Sequence, residues 1–243
     1  MPNYKIIIEY DGTEFSGWQI QPNMRTIQGE LESAISKING NKQVKINGAG
    51  RTDTGVHAWG QVASFCLDKK WEEKKLCNAI NGNSADDINV KGCDIVGENF
   101  HARYSAIKRM YKYNCFLGKS PIYRKYNWEI KKPLSFEKLH QCAELLIGDL
   151  DFTSFAKHIP DKNNQRCIVN QSQWINNGSF VIFTIEANRF LQHLVRCLVG
   201  TMVLVGTGQL TVNNFSAILE EKNIKAKVYR APSNGLFLQN VTY

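Results

Sequence analysis

The order in which short β-branched runs and amphipathic helical stretches alternate constrains this chain's fold more than any other feature. Tyr4 to Tyr10 reads as a strand. Thr26 to Ile38 reads as a helix: Thr26 can cap it, and Ile27, Leu31, Ala34, Ile35 and Ile38 fall on one stripe. Val44 to Gly48 and Gln61 to Leu67 read as strands, Glu72 to Ile80 as a helix ending near Asn81-Gly82, and Ile88 to Ile95 as a strand. Strand, helix, strand, strand, helix, strand is the ferredoxin-like order. The second half repeats it. Ile107 to Phe116 is a strand and Ser135 to Ile147 a helix. Val169 to Ile175 and Phe180 to Ala187 make a hairpin through Asn176-Asn177-Gly178. A long helix starts at about Phe190, a shorter one covers Thr211 to Glu221, and Leu236 to Thr242 supplies the last strand. The expected fold class is therefore α+β. Two ferredoxin-like βαββαβ halves, residues 1–104 and 105–243, are expected to join in one continuous antiparallel sheet. Helices would lie on one face. No low-complexity linker separates the halves, so one rigid body is expected.

With 243 residues, 43% of them hydrophobic and 21% charged, the chain can bury an ample core. The formal net charge of +8 and pI of about 9.1 point to an anionic partner, of which nucleic acid is the commonest. The seven cysteines contain no Cys-x-x-Cys pair, so zinc-site spacing is absent and reduced core thiols of a cytosolic protein are expected. The N-terminus shows no signal peptide. The longest apolar region, Phe190 to Val205, is interrupted by Gln192, His193 and Arg196, which marks a core helix rather than a membrane span.

Three constellations could carry chemistry. The first is Gly50-Arg51-Thr52-Asp53-Thr54-Gly55-Val56-His57-Ala58. One carboxylate, Asp53, sits on a tight loop between glycines with Arg51 beside it, a setting suited to an ionised nucleophile. Asp53-Thr54-Gly55 also spells the aspartic-protease triplet, but no second triplet exists, Arg51-Thr52 rather than an apolar strand leads in, and the chain is basic. The second is residues 101–132, where nine Lys or Arg and a single acid, Glu129, are interleaved with seven aromatics. Cations that meet phosphates, and rings that stack on unpaired bases, are how RNA-binding surfaces are made; the plainer alternative is a solvated strand face over an aromatic core. The third is the helix after Asn188, where Arg189, His193, Arg196 and Gly200 would line one stripe of an otherwise apolar element. Arg196 either forms a structural ion pair or reaches Asp53 and holds it ionised. His193 reads as a packing residue or a base.

Together these residues resemble the tRNA pseudouridine synthase A family. The nine-residue loop looks like its catalytic motif. Further matches are Tyr10-Asp11-Gly12 with Gly17-Trp18-Gln19, Thr26-Ile27-Gln28-Gly29, Phe100-His101-Ala102-Arg103, Arg109-Met110-Tyr111-Lys112-Tyr113, Asp151-Phe152-Thr153-Ser154-Phe155 and Gly235-Leu236-Phe237-Leu238. Ala187 to Leu191 through Val195-Arg196 resembles its helix motif, with Leu194 where methionine is more usual. The resemblance implies conversion of uridine to pseudouridine on the 3′ side of the tRNA anticodon stem-loop, by a cytoplasmic homodimer with the active-site cleft between the two ferredoxin-like halves. It implies Asp53 as nucleophile, Tyr111 packed on the target base, Arg51 associated with extruding that base, Arg196 paired with the catalytic carboxylate, and Leu236 as an apolar wall. The partner is tRNA, no membrane is involved, and the isomerisation calls for neither metal nor nucleotide cofactor, because nothing is oxidised. A non-catalytic RNA-binding protein on the same scaffold would be signalled by loss of the aspartate; Asp53 is present.

Overall fold

Thr26 opens the first helix as its position predicts. Its backbone is extended and its side chain accepts from Gly29 N at 3.3 Å, capping α1 (Ile27–Ile38). The computed structural model describes residues 1–158 and 164–243. Ile27, Leu31, Ala34 and Ile35 are fully buried, each larger side chain contributing about 2 kcal/mol by leaving water. The chain divides into two units, Met1–Ile107 with Phe237–Tyr243, and Lys108–Leu236. The described residues hold ten strands and five α-helices, an α+β fold.

In the first unit the strands are β1 (Asn3–Tyr10), β2 (Asn47–Gly48), β3 (His57–Cys66) and β4 (Ile88–Val96), with α2 (Glu73–Asn81) between the last two. β10 (Leu236–Thr242) supplies a further strand from Phe237 on. The sheet order is β4-β1-β3-β10, with β2 also on β3. β1 pairs antiparallel with β3 and β4, but β10 runs parallel to β3, with Phe237 opposite His57. The expectation of a purely antiparallel sheet is corrected here. A strand that arrives after a long connection is free of the hairpin constraint and can pair in either direction. The expected strand over Val44 to Gly48 shrinks to two residues. Helix α1 takes over its backbone donors: Ile46 N donates to Glu32 Oε1 at 3.0 Å and Val44 N to Ser36 Oγ at 3.0 Å. Glu32 is buried yet satisfied, accepting also from Gln28 Nε2 at 2.9 Å.

The second unit contains β5 (Lys108–Leu117), β6 (Trp128–Ile130), α3 (Phe136–Glu144), β7 (Gly148–Asp151), β8 (Arg166–Asn177), β9 (Phe180–Ala187), α4 (Leu194–Gly206) and α5 (Val212–Glu221). Its sheet order is β5-β9-β8-β7, antiparallel at each of these three pairs, with β6 parallel to β5. β6 and β7 escape sequence reading because one is three residues long and the other, Gly-Asp-Leu-Asp, has no β-branched residue. The long helix begins at Leu194 rather than Phe190, because His193 adopts a left-handed conformation at φ 67° and breaks the preceding chain. Arg189 and His193 therefore lie off the helix stripe on which they were expected.

All seven cysteines are free thiols. Five are buried, and burial pushes Cys142 and Cys167 up to about 11 and Cys93 up to about 12, so these stay protonated at neutral pH. Among the described residues no helix is long and apolar enough to cross a membrane.

Candidate active site

Asp53 lies half-buried in the segment that leads into β3. Val56 N donates to its carbonyl at 3.1 Å, closing a turn whose third residue, Gly55, has φ 74°. A left-handed residue at that position is the mark of a type II turn and favours glycine. The turn is backed by the segment between β1 and α1. Trp18 N donates to the Thr52 carbonyl at 3.0 Å, and Gly55 N to the Phe15 carbonyl at 3.4 Å. Gly17 has φ 90°, and a Cβ there would stand 2.7 Å from the Thr52 oxygen. A Cβ on Gly12 would overlap the Val56 carbonyl. These two glycines are needed because backbone packs directly on backbone.

Side chains complete the support. Tyr10 and Thr52 share a hydrogen bond of 2.8 Å in the buried interior. Burial pushes the Tyr10 hydroxyl far above its ordinary value, while its bonds to Thr52 and Gln61 act the other way. Gln61, itself fully buried, donates to the Gly50 carbonyl at 2.9 Å. Gly12 N donates to His57 Nδ1 at 3.0 Å. An Asp11 carboxylate oxygen also lies 3.0 Å from that nitrogen. The two contacts at Nδ1 fix the plane of the ring beside the turn. Further out, Arg25 stacks on Phe15 at 4.1 Å, forks onto Asp87 at 2.7 and 2.9 Å, and reaches Glu30 at 2.9 Å. Its carbonyl accepts from Ser16 N at 2.8 Å.

This support has a measurable weight. Tyr10→Phe keeps the ring and leaves the Thr52 hydroxyl without its partner. Stability should fall by about 1 kcal/mol, and the single-turnover rate on RNA by about tenfold as the Asp53 turn loosens. Denaturant melts and single-turnover kinetics measure the two. A normal rate with lowered stability would limit Tyr10 to holding the fold.

Arg51, on the same segment, is exposed and joins no ion pair among the described residues. Asp53 and Arg51 are thus presented together by one braced loop.

In the second unit, Tyr111 sits on β5, 7% exposed, with its ring edge-on to Phe190 at 4.9 Å. Arg196 projects from α4, eleven of whose thirteen residues are buried. Its Nε donates to the Ala231 carbonyl at 2.8 Å, and Ala231 N returns a bond to the Arg196 carbonyl at 3.0 Å. A Cβ on Gly200 would overlap the Tyr229 carbonyl, so the chain at 229–231 lies directly on the helix. The same segment then reaches β5. Tyr113 donates to the Pro232 carbonyl at 2.8 Å, and a Cβ on Gly235 would stand 2.6 Å from the Asn114 carbonyl oxygen. Segment 229–236 thereby ties Arg196 on α4 to β5, and carries Leu236, 6% exposed, at its end. His193 is off the helix and touches Arg230, 3.1 Å from Nδ1.

Sequence reasoning singled out Asp53, Arg51, Tyr111, Arg196 and Leu236 as candidates but gave no role to Tyr10, Gly12, Gly17, His57, Gln61 or Arg25. The available signal was the pair Tyr10-Asp11-Gly12 and Gly17-Trp18, two glycines flanking a turn some forty residues upstream of the loop they support.

Its relatives place this basic α+β chain in a class of RNA-modifying isomerases. The description of that family, tRNA pseudouridine synthase, matches residues 6–105 and 142–243, and the chain belongs to it. Its full-length relatives carry a narrower name, tRNA pseudouridine synthase A. One from Thermoanaerobacter sp. (strain X514) is 40% identical over 245 residues, covering 100% of both chains. Another from Streptococcus equi subsp. equi (strain 4047) is 39% identical over 248 residues, covering 100% of this chain and 99% of the relative. A third, from Agrobacterium fabrum, is 38% identical and covers 100% and 93%.

Proposed function

We propose that the protein converts uridine to pseudouridine on the 3′ side of the tRNA anticodon stem-loop, with Asp53 as the nucleophile, working as a cytoplasmic homodimer. The observation that carries this is Asp53 itself, a carboxylate on a braced turn in a chain that belongs throughout its length to the tRNA pseudouridine synthase family. In the reaction the bond from uracil N1 to the sugar carbon breaks and one from uracil C5 to that carbon forms. A proton leaves C5 and one is taken up at N1. No electron is gained or lost, so the protein must supply a nucleophile, a place to turn the base, and binding energy.

Each further residue fits one of those needs. The target base must leave its stack at a cost of a few kcal/mol. Tyr111, held edge-on by Phe190, offers a ring that returns about 1–3 kcal/mol by stacking. Arg51, exposed beside Asp53, is suited to meet a phosphate and fill the vacated space. Arg196 is the cation suited to pair with the catalytic carboxylate, and Leu236 an apolar wall for the uracil.

The test uses a tRNA transcript carrying uridine tritiated at C5. Tritium should appear in water at one equivalent per modified site, with the new pseudouridines mapped by carbodiimide labelling to the 3′ side of the anticodon stem-loop. Release without modification there would move the target elsewhere on the tRNA. No release from any tRNA would overturn the activity.

A further inference from the structure

The second unit has a hollow of about 380 Å³ beside β6, lined by Arg124, Asn127, Trp128, Lys131 and Asn234 among others. We propose that this hollow is a separate nucleotide subsite, which grips an unreacting nucleotide of the bound RNA strand; the inference rests on the RNA-directed function above.

Its chemistry is that of a base and a phosphate. Arg124 and Lys131 are exposed and pair with no carboxylate among the described residues. Between residues 118 and 132 they are joined by Lys119, Lys125 and Lys132, against one acid. That acid, Glu129, accepts from Ser120 N at 2.6 Å and is turned to holding the loop. The aromatic wall is fixed in place. Trp128 is the ring that lines the hollow, T-shaped to Tyr113 at 6.3 Å and nearly parallel at 5.9 Å to Tyr229, which lies outside the lining, is 46% exposed and extends the aromatic surface beside it. Flat rings of this kind stack on any base, while the cations take the phosphate.

The floor is preformed. Asn234 spends both amide hydrogens, on the Arg124 carbonyl at 2.7 Å and on the Asn127 carbonyl at 3.0 Å. Its side-chain oxygen is then oriented as an acceptor for a base N–H. Asn127 is in turn anchored to the Tyr123 carbonyl at 2.9 Å. Arg124 is thus carried on a loop whose backbone is pinned from below, and Lys131 directly follows β6, which limits the ordering cost of binding. With its one carboxylate engaged by backbone, the hollow has nothing to attack a sugar or a base, so it holds rather than reacts.

The test compares tRNA affinity across a salt series, using wild type, Arg124→Ser with Lys131→Ser, Tyr229→Ala, Tyr229→Phe, and a control pair on exposed lysines, Lys69→Gln with Lys70→Gln. The double serine variant should bind about tenfold more weakly. Its salt slope should be shallower by roughly 1.4, two single-strand phosphate contacts. Tyr229→Ala should lose about fivefold or more with the slope unchanged, since stacking releases few ions, and Tyr229→Phe should restore the affinity. The control pair should match wild type in affinity and in tritium release. Wild-type affinity and slope in the serine variant would overturn the subsite while tritium release by wild type left the enzymatic reading standing. A wild type that neither binds nor modifies tRNA would overturn both.

Discussion

Asp53→Asn should abolish pseudouridine formation, by at least about 10³-fold in single-turnover rate, and leave tRNA affinity within about threefold. The amide has the shape of the carboxylate but lacks the charge and the available electron pair that nucleophilic attack requires. The loop should survive the change. Its closing bond runs from Val56 N to the Asp53 backbone carbonyl, and its supports are Gly12, Gly17, Trp18 and Thr52. Affinity should survive because phosphate contacts, spread over many cations, supply most of it. The measurement is tritium release with enzyme in excess, beside a thermal melt and a mass spectrum to exclude deamidation back to aspartate. Turnover by a pure asparagine variant would remove Asp53 from the nucleophile's role.

Arg196→Met should cost about 10²-fold or more in the same rate, with Arg196→Lys in between. Methionine keeps most of the volume on an apolar helix and removes the charge. The arginine is more than a point charge here. Its Nε is spent on the Ala231 carbonyl at 2.8 Å, which fixes the plane of the guanidinium and so the direction of its outer nitrogens. A lysine has no second nitrogen to anchor in that way and presents a mobile ammonium instead. Loss of the Ala231 bond should itself lower stability by about 1 kcal/mol, so a melt must accompany the kinetics. A methionine variant that is destabilised yet turns over at the wild-type rate would make Arg196 a strut between α4 and segment 229–231 and nothing further.

What could be read from the sequence follows from which interactions are local. Helix α1 was legible because its apolar stripe and its capping threonine lie within thirteen residues of one another. The Asp53 turn was legible for the same reason: the glycine at its third position announces the backbone it needs. β2 was not, because what replaces its ladder is a glutamate side chain from α1, fourteen residues away. The start of α4 was not, because nothing in the type of residue at 193 signals a left-handed backbone; histidine takes it without the help that glycine would have. The bracing of the active loop shows the same limit. Gly17 looks like any loop glycine until Thr52 is brought within 2.7 Å of where its Cβ would be. The parallel entry of β10 was the least visible, since strand direction at a long connection is decided by tertiary packing alone.

That parallel strand also sets a timetable. Residues 237–243 complete the sheet that begins at Asn3, with Phe237 stacked on His57 at 4.7 Å and the Tyr243 hydroxyl bound to the Ala102 carbonyl at 2.7 Å. They leave the ribosome only after every residue from 108 to 236 has been made. Until then the growing chain carries the first residues of β3, His57 and Ala58, without their β10 partners, an edge able to accept a strand from elsewhere. The N-terminal unit is therefore begun first and sealed last, its sheet closed only as translation passes the end of the second unit.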